Sequence, residues 1–232
     1  MGRAVKEKAK RKALRQNEEV RPSKTSNKTI FIIIAAGSLV LLVAVFVFFH
    51  RSSPKLASSV IVDPDTLPGI QVSQAPWQPE LIHLRDRLNI IGLPALPREG
   101  TVVHSHQHID IYINGKTVPV PKGIGINEQE RFITLIHTHD PNAVIHIESP
   151  TVATFFLGQF FDIWGVRFTS KCIGSYCADQ EKSLKVFING EAVTGDPRLI
   201  ELAAHQEIVI AYGTPKELPN PIPSQYQFES GS

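Results

Sequence analysis

Apolar and polar residues alternate along two similar stretches of the chain. The first, IDIYINGKTV, covers residues 109–118, and the second, LKVFINGEAV, covers residues 184–193. Each predicts a strand, a tight turn and a second strand, because Asn-Gly is the preferred pair for a two-residue type I′ turn. The likeness fits either an old duplication or two independent hairpins. Alternation puts the apolar residues of each first strand on one face, which is predicted to be core: Ile109, Ile111 and Ile113, then Leu184, Val186 and Ile188.

The remaining periodicity predicts three more strands and two short helices. The strands are expected at residues 131–137, 143–148 and 207–212. Apolar residues at helical spacing between Leu81 and Ile91 predict the first helix. An aromatic stripe over residues 157–164 predicts the second, with Gly165 placed to end it. The whole pattern predicts a mainly β fold, an antiparallel β sandwich or barrel-like sheet with one or two short helices.

A run of twenty uncharged residues, IFIIIAAGSLVLLVAVFVFF, occupies positions 30–49. A helix of this length spans about 30 Å, the thickness of a bilayer core. The run is longer than the apolar stretch of a cleavable signal peptide, which has about 7–15 residues. A buried helix would carry more polar residues than the single Ser38. The run therefore predicts a transmembrane signal anchor, with the lipid bilayer as a partner through residues 29–49.

The charges on either side of this run predict its orientation. Residues 1–28 hold ten Lys or Arg and three Asp or Glu, which leaves fourteen against nineteen in the rest of the chain. The positive-inside rule then places the N-terminus in the cytoplasm and everything from His50 onward outside the cell membrane. A nucleic-acid-binding protein would carry its positive charge on the folded domain. That domain is mildly acidic here, so no nucleic-acid partner is expected.

Composition divides the chain into five predicted segments. A linker rich in Ser, Pro and Asp follows the membrane anchor, and a tail with four prolines follows the β domain. The segments are a basic cytoplasmic tail at 1–28, the transmembrane anchor at 29–49, the linker at 50–78, an extracytoplasmic His-rich β domain at 79–213 and the Pro-rich tail at 214–232.

The two cysteines, Cys172 and Cys177, have four residues between them. In an oxidising compartment outside the cytoplasm they are expected to form a disulfide. The alternative is that the two thiolates bind a metal, but the sequence offers no third Cys and no nearby His to complete such a site.

Six of the nine histidines fall within the 43 residues from 104 to 146. Side chains at i and i+2 of a strand share a face, so each H-x-H segment offers two imidazoles on one side. Neighbouring strands lie about 4.8 Å apart, close enough for imidazoles of two such segments to surround one ion. The candidate metal ligands are His106, His108, His137 and His139, followed by His104 and His146. Candidate supporting carboxylates or further ligands are Asp110, Asp140 and Glu148.

The available ligand types narrow the choice of metal. Met1 is the sole methionine and both cysteines are expected to be oxidised, so the soft ligands that select Cu(I) are missing. Imidazole with carboxylate suits Zn(II), Cu(II), Ni(II) or Fe(II), of which Cu(II) binds tightest and Zn(II) accepts a tetrahedral site without strain. We expect Zn or Cu, with Zn favoured.

These observations predict a membrane-anchored, extracytoplasmic metal-binding module, used for metal handling or as a subunit of an assembly with another membrane protein. A metalloenzyme of hydrolase or hydratase type also fits, in which three histidines hold the ion and a bound water is the nucleophile. Glu148 or Asp140 would then be the general base. The pattern is also compatible with a pH-responsive histidine cluster or a metal-free scaffold domain.

Overall fold

The computed structural model describes residues 62–228. The predicted membrane anchor at 29–49, the basic tail and most of the linker lie outside these residues. Within the described part of the chain, no helix has the length and apolar character needed to cross a membrane.

Residues 62–228 contain eleven strands and two α-helices. The helices are α1 (Leu84–Ile91) and α2 (Leu157–Trp164). The strands are β1 (Val103–Ile113), β2 (Lys116–Val118), β3 (Ile126–Asn127), β4 (Phe132–Ile133), β5 (Ile136–His137), β6 (Val144–Ser149), β7 (Cys172–Ile173), β8 (Tyr176–Cys177), β9 (Ser183–Ile188), β10 (Glu191–Ala192) and β11 (Glu207–Gly213).

Seven strands form one mixed sheet in the order β10-β9-β11-β1-β6-β5, with β2 paired to the end of β1. The long strand β1 lies at the centre. Its first half, residues 103–108, pairs antiparallel with β6. Its second half, residues 108–113, pairs in parallel with β11. The pairs β3-β4 and β7-β8 are separate two-stranded ribbons.

The apolar face of this sheet is the wall of the main core. Ile109, Ile111 and Ile113 point into it as predicted, and Ile145, Ile147, Ile208 and Ile210 extend it across the neighbouring strands. Helices α1 and α2 contribute to the same core, which also contains Trp77 and Trp164 in edge-to-face contact. The prediction of a mainly β domain with two short helices is confirmed.

Both helices end where the sequence places a glycine. Gly92 and Gly165 have φ of 72° and 80°, the left-handed conformation in which a side chain would be strained. The buried Arg87 of α1 then joins the two helices, because its guanidinium donates to the carbonyls of Asp162 and Ile163 in the last turn of α2. These bonds satisfy carbonyls that have no partner within their own helix.

The two Asn-Gly turns are also confirmed. Asn114 and Gly115 have φ of 51° and 76°, and Asn189 and Gly190 have φ of 51° and 85°, as a type I′ turn requires. The predicted disulfide is present between Cys172 and Cys177 and closes the β7-β8 ribbon.

The prediction of a purely antiparallel sheet is wrong at the centre, where β1 and β11 run parallel. Parallel neighbours need a long crossover, and here all the elements from β2 to β10 supply it. Alternation along a strand specifies its faces and carries no information on its partner's direction. The two ends of the sheet, β10 and β5, do not pair within residues 62–228, so the sandwich or barrel closure is not observed.

One predicted strand is divided in two. The sequence predicts a continuous strand over residues 131–137, but Thr134 interrupts it by donating its hydroxyl to the carbonyl of Ile136 and its N–H to the carbonyl of Gly125. As a result β4 pairs with β3, while β5 joins the main sheet beside β6. This break lets His137 take a position on the main sheet.

The opposite face of the sheet, here called the outer face, has two different coverings. Beyond β1, Phe187, Val209 and Ala211 form a small apolar cluster. The Pro-rich segment after β11 lies on it, with Leu218 and Ile222 packed against those residues. The other half of the outer face, on β1, β6 and β5, carries histidines.

Candidate metal centre

Three adjacent strands bring histidines into one row across the outer face. His106 of β1 lies directly opposite His146 of β6, and His146 lies directly opposite His137 of β5. In the same register His104 lies opposite Glu148. Side chains of directly opposite residues point to the same side of a sheet, about 4.5–5.5 Å apart at Cβ. Strand pairing therefore places His106, His146 and His137 in one row. The H-x-H spacing adds His104 and His139 beside it.

The first group of potential ligands is formed by His137, His139, His146 and Glu148, each with one ligand atom within 4.8 Å of the others. The Nε2 atoms of His137 and His139 are 3.0 Å apart. His137 is fully buried, and its Nδ1 lies 2.9 Å from the carbonyl oxygen of Thr134. A carbonyl can only accept, so Nδ1 carries the proton and the Nε2 lone pair points into the group. This backbone contact fixes the tautomer that a metal ligand needs.

The second group consists of His104, His106 and again His146. Here too the Nε2 atoms of the H-x-H pair, His104 and His106, are 3.0 Å apart. The Glu148 carboxylate lies between the groups, with Oε1 at 3.3 Å from His104 Nε2 and Oε2 at 3.9 Å from His137 Nε2. We call these six residues the histidine cluster: His104, His106, His137, His139, His146 and Glu148.

Burial favours the neutral form of three imidazoles in the cluster. It lowers the pKa of His137 to about 4 and that of His146 to about 3, and the neighbouring imidazoles act in the same direction. The pKa of His106 is lowered for the same two reasons. Only a neutral imidazole has a lone pair for a metal, so these three residues present their nitrogens as ligands at neutral pH.

The surroundings of the carboxylate in the cluster, that of Glu148, disfavour its charged form. Glu148 is only 6% exposed, and its pKa is raised by burial and by the negative charge of Glu99. Within residues 62–228, Glu148 Oε2 and His106 Nδ1 have no hydrogen-bond partner. A buried polar atom without a partner costs about 1–3 kcal/mol. A cation beside Glu148 Oε2 would satisfy that oxygen, whereas a metal on His106 Nε2 would leave Nδ1 of the same ring as an N–H donor.

Glu99 is a site residue that the sequence did not reveal. It lies in the Pro- and Gly-rich segment before β1, and its Oε1 is 3.5 Å from His139 Nε2. The segment has no periodicity that would point to a ligand. Only tertiary packing brings this carboxylate to the edge of the cluster.

The cluster brings together five of the six candidate histidines and one of the three candidate carboxylates. His108 lies elsewhere, with its Nδ1 at 2.8 Å from Glu207 Oε2 and its ring stacked on Tyr226 at 3.9 Å between centroids. Together with Asp110 it forms a separate set of potential ligand atoms, here called the His108 group: His108, Asp110 and Glu207. Asp140 is exposed and belongs to none of these groups in the described part of the chain.

No family model, curated protein or solved structure matches this chain. Its chemistry follows from the donors that the fold brings together. Those donors are imidazole nitrogens with one or two carboxylates, and the sulfur atoms of Cys172 and Cys177 are held in the disulfide. Imidazole and carboxylate donors suit divalent transition-metal ions, and the set lacks the thiolate and thioether donors that select Cu(I).

One residue of the cluster, His139, also lines a cleft of about 880 Å³. His139 forms part of the cleft wall, so one side of the cluster is open to a molecule larger than water. Further residues of the wall are Leu81, Ile82, Lys122, Ile126 and Glu128.

Proposed function

We propose that this chain is a membrane-anchored, extracytoplasmic module that binds Zn(II) or Cu(II) through the histidine cluster. The observation that carries the proposal is the convergence of His137, His139, His146 and Glu148 to within 4.8 Å. Four ligands of these types satisfy a tetrahedral ion without help from solvent. The cell-surface role is metal handling, or a metal-stabilised subunit beside another membrane protein.

The location rests on three features of the chain. The uncharged run at 30–49 has the length of a bilayer span, and the basic residues before it favour a cytoplasmic N-terminus. The Cys172–Cys177 disulfide is the kind of bond that persists in oxidising compartments. All three support placing the β domain outside the cytoplasm.

Metal analysis of the full-length chain, purified in detergent, tests the module. The chain is stripped with a chelator, reloaded with Zn(II) or Cu(II), separated from free metal and analysed by mass spectrometry. We expect at least one ion per chain. The variant His104→Ala/His139→Ala/His146→Ala removes ligands from both groups and should bind none. The control His83→Ala changes a histidine that contacts Glu80 and belongs to neither group, and it should match the wild type. An apo wild-type chain after reloading would contradict the proposal.

Protease accessibility tests the orientation. Protease added to intact cells should digest the β domain, because the proposal places it outside. Digestion only after permeabilisation would reverse the topology. A reporter fused to the N-terminus gives the matched control and should be protected in intact cells.

A metalloenzyme is the second candidate, and the cleft beside His139 favours it. A cleft of about 880 Å³ is large enough for a small organic substrate, and an ion at the cluster would lie at its edge. A metal-bound water would be the nucleophile and Glu148, next to it, the proton acceptor. Hydrolysis of activated esters by the metal-loaded chain, absent from the triple variant, would support this candidate.

A further inference from the structure

The histidine cluster contains more ligands than one ion can use, and they are not arranged around a single point. The potential ligand atoms fall into two groups, and His146 is the residue they share. Ligand atoms of one tetrahedral ion with bonds of 2.0–2.1 Å lie only about 3.4 Å apart. Each H-x-H pair, with its Nε2 atoms 3.0 Å apart, is close to that spacing by itself. The two pairs are therefore two separate chelators.

Glu148 connects the two pairs through different oxygen atoms. Oε1 lies 3.3 Å from His104 Nε2 and 4.0 Å from His146 Nδ1, and Oε2 lies 3.9 Å from His137 Nε2. Oε2 is buried and has no hydrogen-bond partner in the described part of the chain. A carboxylate that turns one oxygen to each of two chelating pairs has the arrangement of a bridging ligand. Ions bridged in this way lie about 3.5–4 Å apart.

From this arrangement we infer that the cluster is a binuclear metal centre bridged by Glu148. The inference rests on the proposed metal-binding function. The first ion is held by His137, His139, His146 and Glu148 Oε2. The second is held by His104, His106 and Glu148 Oε1, and a solvent molecule or an exogenous anion completes its shell.

The two ions have different surroundings. His137 is fully buried, so the first ion lies deep in the fold and has four protein ligands. His104 is more than half exposed, so the second ion is reached from solvent and keeps an exchangeable position. The second ion should exchange faster and be lost first on chelation.

Two measurements on the full-length chain in detergent test the centre. Metal content after loading with Zn(II) should be two ions per chain. After loading with Cu(II), electron paramagnetic resonance should show a half-field signal, or less intensity than two isolated ions give, because ions about 3.5–4 Å apart interact magnetically. The wild type alone decides this test, so it does not depend on the folding of a variant.

Variants then assign the ligands. His104→Ala/His106→Ala and His137→Ala/His139→Ala should each retain one ion, without the magnetic interaction. Glu148→Gln should lose the interaction, and His83→Ala should keep two coupled ions.

The outcomes separate this inference from the proposed function. Zero ions in the wild type contradicts both. One ion per chain, or two ions with the full signal of isolated Cu(II), overturns the binuclear centre and leaves the metal-binding module standing.

Discussion

The outer face of β1 carries histidines in two opposite situations, called here the cluster end, with His104 and His106, and the His108 end, at the middle of the strand. His104 and His106 lie beside β6, among imidazoles whose nitrogens face one another. His108, two residues further along the same face, lies beside β11 and contacts the Glu207 carboxylate beneath the Tyr226 ring. Spacing alone puts all three histidines on one side. The neighbouring strand then determines what each imidazole faces. Beside β6 it faces further imidazoles, and beside β11 it faces the carboxylate of Glu207.

The number of converging imidazoles distinguishes the two ends. Buried atoms without a hydrogen-bond partner within residues 62–228 occur at both, namely His106 Nδ1 and Glu148 Oε2 at the cluster end and Glu207 Oε1 at the His108 end. At the His108 end a single imidazole contacts Glu207 and stacks on the Tyr226 ring. At the cluster end five imidazoles lie together with Glu148. We therefore expect a metal ion to bind and stabilise the cluster end and to leave the His108 end unchanged.

Removal of metal has the largest expected effect on this comparison. Binding at one hundred times Kd stabilises the folded state by about 2.7 kcal/mol, which for a domain of this size raises Tm by roughly 5–10 °C. We expect a chelator at pH 7 to lower the Tm of the wild type by that amount. The same chelator should leave the Tm of His104→Ala/His139→Ala/His146→Ala unchanged. Calorimetry measures both, and equal responses of the two proteins would remove the distinction between the ends.

Acid should destabilise the metal-free protein through the cluster end. The folded pKa values of His137 and His146, about 4 and about 3, lie below the unfolded value of 6.5. Between the folded and the unfolded pKa values, the unfolded chain binds more protons than the folded chain. The contribution of these two histidines to the free energy of unfolding is therefore fully present above pH 6.5 and is lost as the pH falls toward 3. His137, which is fully buried, should account for roughly 2–3 kcal/mol.

Glu148 opposes this trend between pH 4.5 and 7, because its pKa is raised and its neutral form favours the folded state. Urea unfolding in the presence of a chelator, from pH 7.5 to pH 4, measures the sum. His137→Phe should flatten the profile, while Glu148→Gln should steepen it. A profile that is flat in Glu148→Gln, where the opposing carboxylate is absent, would show that these imidazoles are not buried as neutral groups.

His108→Ala tests the opposite end. The change leaves the Glu207 carboxylate, only 1% exposed, without its partner, and a buried polar group in that state costs about 1–3 kcal/mol. We expect lower stability in urea and an unaltered metal content. His108→Gln, which keeps a donor, should recover part of the loss. Reduced metal content in His108→Ala would mean that the His108 group also holds an ion.

The smallest effect is expected from Tyr226→Ala. The ring stacks on His108 at an interplanar angle of 8°, and such aromatic contacts contribute roughly 0.5–1.5 kcal/mol. Tyr226→Phe keeps the ring and is the matched control. Unfolding in urea should separate the two variants, with no change in the Tm shift caused by metal.

Much of this fold follows from local pattern. Ile109, Ile111 and Ile113 are core because strict alternation leaves them no second face, and Asn114-Gly115 must turn because both residues accept positive φ. The pairing of strands does not follow from local pattern. That β11 would lie parallel beside β1 depends on the packing of the whole chain, which no short window contains.

The same distinction between local spacing and strand pairing applies to the candidate site. The H-x-H spacing predicts that imidazoles two residues apart share a face, and the pairs His104/His106 and His137/His139 have their Nε2 atoms together. The ligand pair preferred from the sequence on β1 is His106 with His108, whereas in the structure His106 faces His104. Register decides the rest: it places His146 between the pairs and His108 opposite Glu207. His146, ranked behind His108 from the sequence, is thus the residue shared by both groups, and Glu99 comes from a segment without any signal.

The parallel pairing of β1 with β11 also has a consequence for the order of folding. These strands are separated by about a hundred residues, and the loop between them must close before their hydrogen bonds form. Domains with such distant pairings fold slowly, in milliseconds to seconds. A chain that ends before Glu207 would leave the central strand with one edge bare, open to pairing with another molecule. Of the strands within residues 62–228, β11 is synthesised last, and its pairing protects β1, the first of them, from aggregation.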